Sequence, residues 1–94
     1  MRVEWHPLAQ ADLAELLTYI ATGNPKAAYH MHDEIRKQTG MLAAHPEARR
    51  FGRIPGTREL VIAGTPFIAA YSLSRDMATI LRLLHGARRW PRAL

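Results

Sequence analysis

Cysteine is absent from these 94 residues, which excludes disulfide stapling, thiol catalysis and cysteine-type zinc sites together. No apolar run approaches the ~18–20 residues of a membrane span, and the N-terminus carries no signal-peptide core, so the chain reads as cytoplasmic. Serine is confined to Ser72 and Ser74. Neither sits in a Gly-x-Ser-x-Gly elbow, so nucleophilic hydrolysis is poorly served. A phosphate-cradling glycine loop is missing as well: Gly52-Arg53-Ile54-Pro55-Gly56 contains a proline and precedes a strand pattern rather than a helix. Lysine is scarce, with Lys26 and Lys37 the only two among 13 cationic side chains.

What is present is arginine. The 13 Lys and Arg residues outnumber 8 Asp and Glu, giving a formal charge of +5. Guanidinium forks bind carboxylate and phosphate bidentately, whereas solubility alone can be served by lysine. The partner class this implies is an acidic protein segment or a nucleic acid. With 48% hydrophobic and 22% charged residues the composition is globular. The length fits one domain spanning 1–94, with a thin core that buries ~60–65% of the unfolded surface. Such a chain gains stability from a bound partner by mass action.

The hydrophobic pattern reads as strand, two helices and three strands. Met1–Trp5 is a short strand. Pro7 opens a helix whose Leu13, Leu16, Leu17 and Ile20 share one face, and which stops near Thr22-Gly23. Asn24-Pro25 starts a second helix, as N-cap and first helical residue. Its stripe of Ala28, Met31, Ile35 and Leu42 closes before Pro46. A link of about three residues makes the two helices an antiparallel hairpin. Glu47–Gly56 reads as a basic loop, followed by strands Arg58–Ala63, Phe67–Leu73 and Met77–His85 with tight turns between them. Short connections predict an antiparallel meander. The fold class is α+β, β-α-α-β-β-β, with the helical hairpin packed on an antiparallel sheet.

Two clusters at strand ends carry the candidate chemistry: Gly56-Thr57-Arg58-Glu59-Leu60, and the exit Leu84-His85-Gly86-Ala87-Arg88-Arg89-Trp90-Pro91. The five histidines do not read as a metal site. His30 and His32 point about 200° apart on a helix, whereas helical ligand pairs need i, i+4. No metal and no cofactor is expected. Acid–base phosphodiester cleavage is the catalytic option that the residues allow. Glu59 and His85 would supply base and acid, and Arg58, Arg82 and Arg88 the cations for the phosphorane charge. Strict alternation works against a compact site, because it puts Arg82 with Ile80 and Leu84, and His85 with Leu81 and Leu83. A bulge at Gly86 would be needed to re-aim the end. The expected partner surface comprises Arg49, Arg50, Arg53, Arg58, Arg82, Arg88, Arg89 and Trp90, with Trp90 also reading as a packing lid on the sheet edge.

The ordered set Trp5-His6-Pro7, Ala11-Asp12-Leu13, Tyr19-Ile20-Ala21 and Asn24-Pro25-Lys26-Ala27-Ala28, followed by the two clusters above, resembles the RelE/ParE toxin superfamily over essentially the whole chain. The resemblance implies the same β-α-α-β-β-β fold and the toxic half of a type II toxin–antitoxin pair. It also implies growth inhibition, neutralisation by a cognate antitoxin protein and a hetero-oligomeric complex. The expected antitoxin contact is a helix in a groove between hairpin and sheet, steered by Arg49, Arg50, Arg53 and Arg58 at the rim. Two mechanisms occur in the superfamily: RelE-like cleavage of mRNA on the ribosome and ParE-like poisoning of DNA gyrase. Aligned on Tyr71, the nucleases carry cations where this chain has Glu59, Val61 and Ile68, and only Arg88 matches one of theirs. That loss of charge favours ParE-like action on gyrase. The alternative is the RelE-like endoribonuclease, with ribosome and mRNA as partners and Glu59, His85 and Arg88 as catalytic residues.

Overall fold

The computed structural model describes residues 1–47 and 50–94. Arg49, one of the arginines expected at the partner surface, lies outside the described residues together with Ala48.

The helical hairpin is set by its caps. Strand β1 (Arg2–Trp5) enters helix α1 (Pro7–Gly23) through His6, whose Nδ1 accepts the Leu8 N–H at 3.1 Å. Pro7 occupies the first helical position, where its missing N–H leaves nothing unpaired. Asn24 alone joins α1 to α2 (Pro25–Gly40), a shorter link than expected. Its backbone N–H donates to the Ile20 carbonyl at 2.9 Å and closes α1, while its Oδ1 accepts the Ala27 N–H at 3.1 Å and opens α2. A cap of this kind contributes ~1 kcal/mol. Helix α2 ends at Gly40, before the Leu42 expected, and Met41–Ala43 tighten into a 3-10 turn. Glycine is a weak helix former, and the tighter turn still buries Leu42 completely.

Five strands form one sheet: β1, β2 (Arg50–Phe51), β3 (Arg58–Val61), β4 (Phe67–Ser74) and β5 (Met77–His85), in the order β1-β5-β4-β3-β2. This corrects the sequence reading in three ways. The sheet is mixed, because β1 runs parallel to β5, with Val3 opposite Ala78 and Trp5 opposite Ile80. The short-connection argument governs only consecutive strands, and β1 reaches the sheet across the whole helical hairpin. The basic loop contributes a two-residue strand, with Arg50 opposite Glu59 and Phe51 opposite Arg58. Strand β3 stops at Val61 because the Ala63 backbone is taken by a side chain: its N–H donates to Gln38 Oε1 at 2.7 Å, and its carbonyl accepts from Gln38 Nε2 at 3.1 Å.

The core lies between the hairpin and one sheet face. Ala9 and Leu13 of α1, Ile35 of α2 and Leu42 meet Leu60, Ala69, Tyr71, Ala78, Ile80 and Leu83. Tyr71 is fully buried, and its hydroxyl donates to the Pro46 carbonyl at 2.6 Å, tying the central strand to the segment after α2. Buried Ala78, Ile80 and Leu83 break strict alternation. The register explains it: Ala70 faces Arg82 while Tyr71 faces Ile80, so Leu81 has no partner across the ladder. A bulge therefore sits at Leu81, not at Gly86, and it shifts the phase of the strand's last four residues.

Candidate functional site

Since Leu60 faces the core, its neighbour Glu59 faces the other side of the sheet. Arg50, opposite it in the ladder, lies on that same side. The Glu59 side chain is only 2% exposed, and five hydrogen bonds hold it. Oε1 accepts from Arg50 Nη2 at 2.8 Å and Arg50 Nε at 3.2 Å. Oε2 accepts from the Arg53 backbone N–H at 2.8 Å and Arg53 Nε at 3.1 Å. Burial opposes ionisation and is the largest single influence on this carboxyl. The bonds from the Arg53 side chain, the Arg53 backbone and Arg50 together outweigh it, so the group stays below its usual range.

Two glycines bring the second cluster onto the first. The Gly52 N–H donates to the Thr57 carbonyl at 2.7 Å, and a Cβ at Gly52 would overlap Thr57 Oγ1, so only glycine lets the loop fold back this tightly. That fold places Arg53 over Glu59. At the exit of β5, the Gly86 N–H donates to the Pro66 carbonyl at 2.8 Å, and a Cβ there would sit 2.9 Å from Ile68 Cδ1. The chain then turns: Trp90 Nε1 donates to the His85 carbonyl at 3.0 Å, as does the Arg88 N–H at 3.2 Å. Arg53 connects the two parts. Its guanidinium lies 3.7 Å above the Trp90 ring, and its Nη1 donates to the Gly86 carbonyl at 3.3 Å.

The candidate residues thus separate. Glu59, Arg50, Arg53 and Trp90 form one connected cluster, with Arg88 and Arg89 on the same exit turn. Both of these arginines are exposed, and neither side chain bonds to another group among the described residues. Arg82 stands apart from them. Its Nε and Nη2 donate to Asp12 of α1 at 2.7 and 3.0 Å, and Asp12 Oδ2 also accepts the Leu83 N–H at 2.9 Å. The hydrogen bond to Asp12, working against burial, raises the arginine's pKa above its usual value. Arg58 is on the hairpin side, opposite Tyr71, where it stacks 4.5 Å from the Phe51 ring and bonds to the Glu47 carbonyl at 3.4 Å. The arginines expected along one rim are therefore divided between the two sides of the sheet.

His85 is engaged as well. Its Nδ1 accepts the Ala87 N–H at 3.1 Å, and its ring meets Phe67 edge-on at 5.7 Å. Both Glu59 oxygens accept from Arg50 and Arg53, so neither is open to take a proton from a substrate. Neither of two surface recesses is lined by Glu59, His85 or Arg88. One, of about 120 Å³, lies between His6, Leu8, Leu81 and the C-terminal Leu94, and the other lies at the hairpin turn beside Tyr19 and Asn24. Among the described residues no helix is long and apolar enough to cross a membrane, and no three His, Cys, Asp or Glu side chains gather to hold a metal ion. Sequence reasoning did not assign Asp12 its pairing role or Arg53 its place as the link between clusters. The one available signal was a glutamate at a strand start beside a glycine-bounded, arginine-rich loop.

Residues 3–90 match the family described as the ParE toxin of the type II toxin–antitoxin system parDE. A Sinorhizobium fredii protein named "Putative toxin Y4kP" is 39% identical over 93 residues, which cover 99% of this chain and 96% of that protein. A solved structure titled "Chromosomal ParDE TA system from P. aeruginosa" superposes with a TM-score of 0.80 at 28% identity, over 88% of this chain and 92% of its own.

Proposed function

Because the chain belongs to the ParE toxin family of type II toxin–antitoxin systems, we propose that it arrests bacterial growth in the cytoplasm by poisoning DNA gyrase. A cognate antitoxin protein would neutralise it in a hetero-oligomeric complex. The observation that carries the gyrase reading is the state of Glu59. A general base needs an accessible carboxylate within reach of the proton it takes. Glu59 is buried, ionised and saturated by Arg50 and Arg53. Poisoning an enzyme by contact requires no proton transfer, so a site of this kind costs such a toxin nothing. The antitoxin partner is supported by the Pseudomonas structure, whose title names a ParDE toxin–antitoxin system.

Purified toxin should block gyrase supercoiling, and its induction in a bacterial host should raise DNA-damage signalling and filamentation. The His85→Ala variant should retain that block. Ribosome-dependent mRNA cleavage that disappears in His85→Ala, at a cost of ~10²-fold or more, would instead establish the RelE-like endonuclease. Co-expression with the acidic product of a neighbouring reading frame should restore growth. Continued arrest with that partner bound would count against neutralisation.

A further inference from the structure

Arg53 joins the exit turn to the cluster on Glu59, and the exposed arginines of both parts carry charge of one sign. Arg88 and Arg89 are exposed on the turn, with no side-chain partner among the described residues. Arg50 and Arg53 are 55% and 41% exposed. The carboxylate inside the cluster is buried beneath them and balances only one of the four charges. Arg53 is also preorganised: the carboxylate, the Gly86 carbonyl and the Trp90 ring all fix its plane. Three of its five N–H groups are already used, and the two left over are held in a fixed direction, so less entropy is lost when they meet an acceptor.

The chemistry selects among anionic partners. A protein-binding patch wants an apolar, desolvated centre. Here one Trp90 face is covered by Arg53 and its N–H is bonded to His85, while exposed Phe51 stacks with Arg58 on the other side of the sheet. Single-stranded nucleic acid wants a row of open aromatic faces for successive bases, and this cluster has one aromatic ring, Trp90, with one face under Arg53. What remains is a polar, cationic surface suited to phosphate oxygens without base contact. We propose that Arg50, Arg53, Arg88 and Arg89 bind the sugar–phosphate backbone of duplex DNA, without regard to sequence. This deepens the gyrase reading, on which it rests for its biological setting: gyrase works on duplex DNA, and the toxin would meet both.

The test is fluorescence anisotropy of a labelled mixed-sequence duplex titrated with the purified chain at rising salt. Affinity should fall about 10²-fold between roughly 50 and 200 mM salt, the loss that about four phosphate contacts imply. The R88A/R89A double variant should flatten the slope of log affinity against log salt by about two, because each lost phosphate contact removes about one. The K26A/K37A double variant removes the same charge from the helical hairpin and should leave the slope intact. Absence of binding at low salt, equal flattening by both double variants, or binding of polyglutamate as tight as that of the duplex would each overturn the inference. Supercoiling block without duplex binding would remove this inference and leave the gyrase reading standing. Duplex binding without supercoiling block would do the reverse.

Discussion

Asp12 and Glu59 stand at opposite edges of the sheet, and each accepts one backbone N–H together with arginine side chains. At the β5 edge, beyond the end of β1, Asp12 takes the Leu83 N–H and the two-pronged Arg82, and the pair is 15% and 25% exposed. One acid meets one base, and the charge is closed. At the β2–β3 edge, Glu59 takes the Arg53 N–H and two guanidinium groups that remain about half in solvent. One acid holds two bases, and one positive charge is left facing outward. The same local chemistry finishes one edge and arms the other. A carboxylate–arginine cluster is thus read by its stoichiometry: both acids hold the fold, and only the unbalanced cluster also presents a cationic surface.

Removing each acid is the most severe way to test this. Glu59→Ala strips five hydrogen bonds, leaves the Arg53 N–H unpaired and opens a void, and should cost ~2–4 kcal/mol. The lower end reflects how readily two half-exposed arginines return to water. Asp12→Ala leaves a more enclosed guanidinium and the Leu83 N–H without a partner, at a cost of ~2–3 kcal/mol. Urea denaturation midpoints check both. Neutrality of either variant would mean that its cluster is a surface accessory and not a joint.

How much of this was legible depends on the distance over which each feature is decided. Both helix starts were readable, because His6-Pro7 and Asn24-Pro25 act within one turn. Strand β2 was not, since two residues pair only through Arg58 and Glu59, and nothing in Arg50-Phe51 itself demands extension. The Leu81 bulge was hidden for a different reason. With Leu81, Leu83 and Leu84 all apolar, either phase buries a leucine, and only the facing residues of β4 choose between them. The parallel β1 pairing follows from the path of the hairpin, beyond the reach of local pattern. Both clusters were singled out from the sequence. Their union through Arg53 and Trp90 was not, because it depends on two close backbone approaches at Gly52 and Gly86.

Acid titration should separate the edges by a smaller margin. The folded Glu59 carboxyl lies below its ordinary value of 4.5. The unfolded chain therefore binds that proton more tightly, so the stability contributed is complete above about 4.5 and is lost as pH falls through the folded value. The raised value at Arg82 has the opposite sign: its contribution is present below the ordinary arginine value and lost only in strong alkali. Stability measured downward from pH 6 should thus drop for the native chain and fall less steeply for Glu59→Gln. Parallel curves for the two proteins would show that Glu59 is not the acid-sensitive element of its edge.

The smallest effect is the sharpest test of the surplus charge. Arg50→Ala leaves Glu59 with the Arg53 N–H at 2.8 Å and the Arg53 side chain at 3.1 and 3.4 Å, so the carboxylate stays bonded. Because Arg50 is more than half exposed, its loss should cost ~0.5–1 kcal/mol, the scale of a solvent-facing ion pair. Arg82→Ala differs, since Asp12 would keep only the Leu83 N–H in a poorly exposed place, and the cost should exceed that of Arg50→Ala about twofold or more. Denaturation midpoints of the two variants decide the matter. If Arg50→Ala proves as costly as Glu59→Ala, both arginines are needed to hold the acid, and Arg50 leaves the cationic surface to become part of the fold.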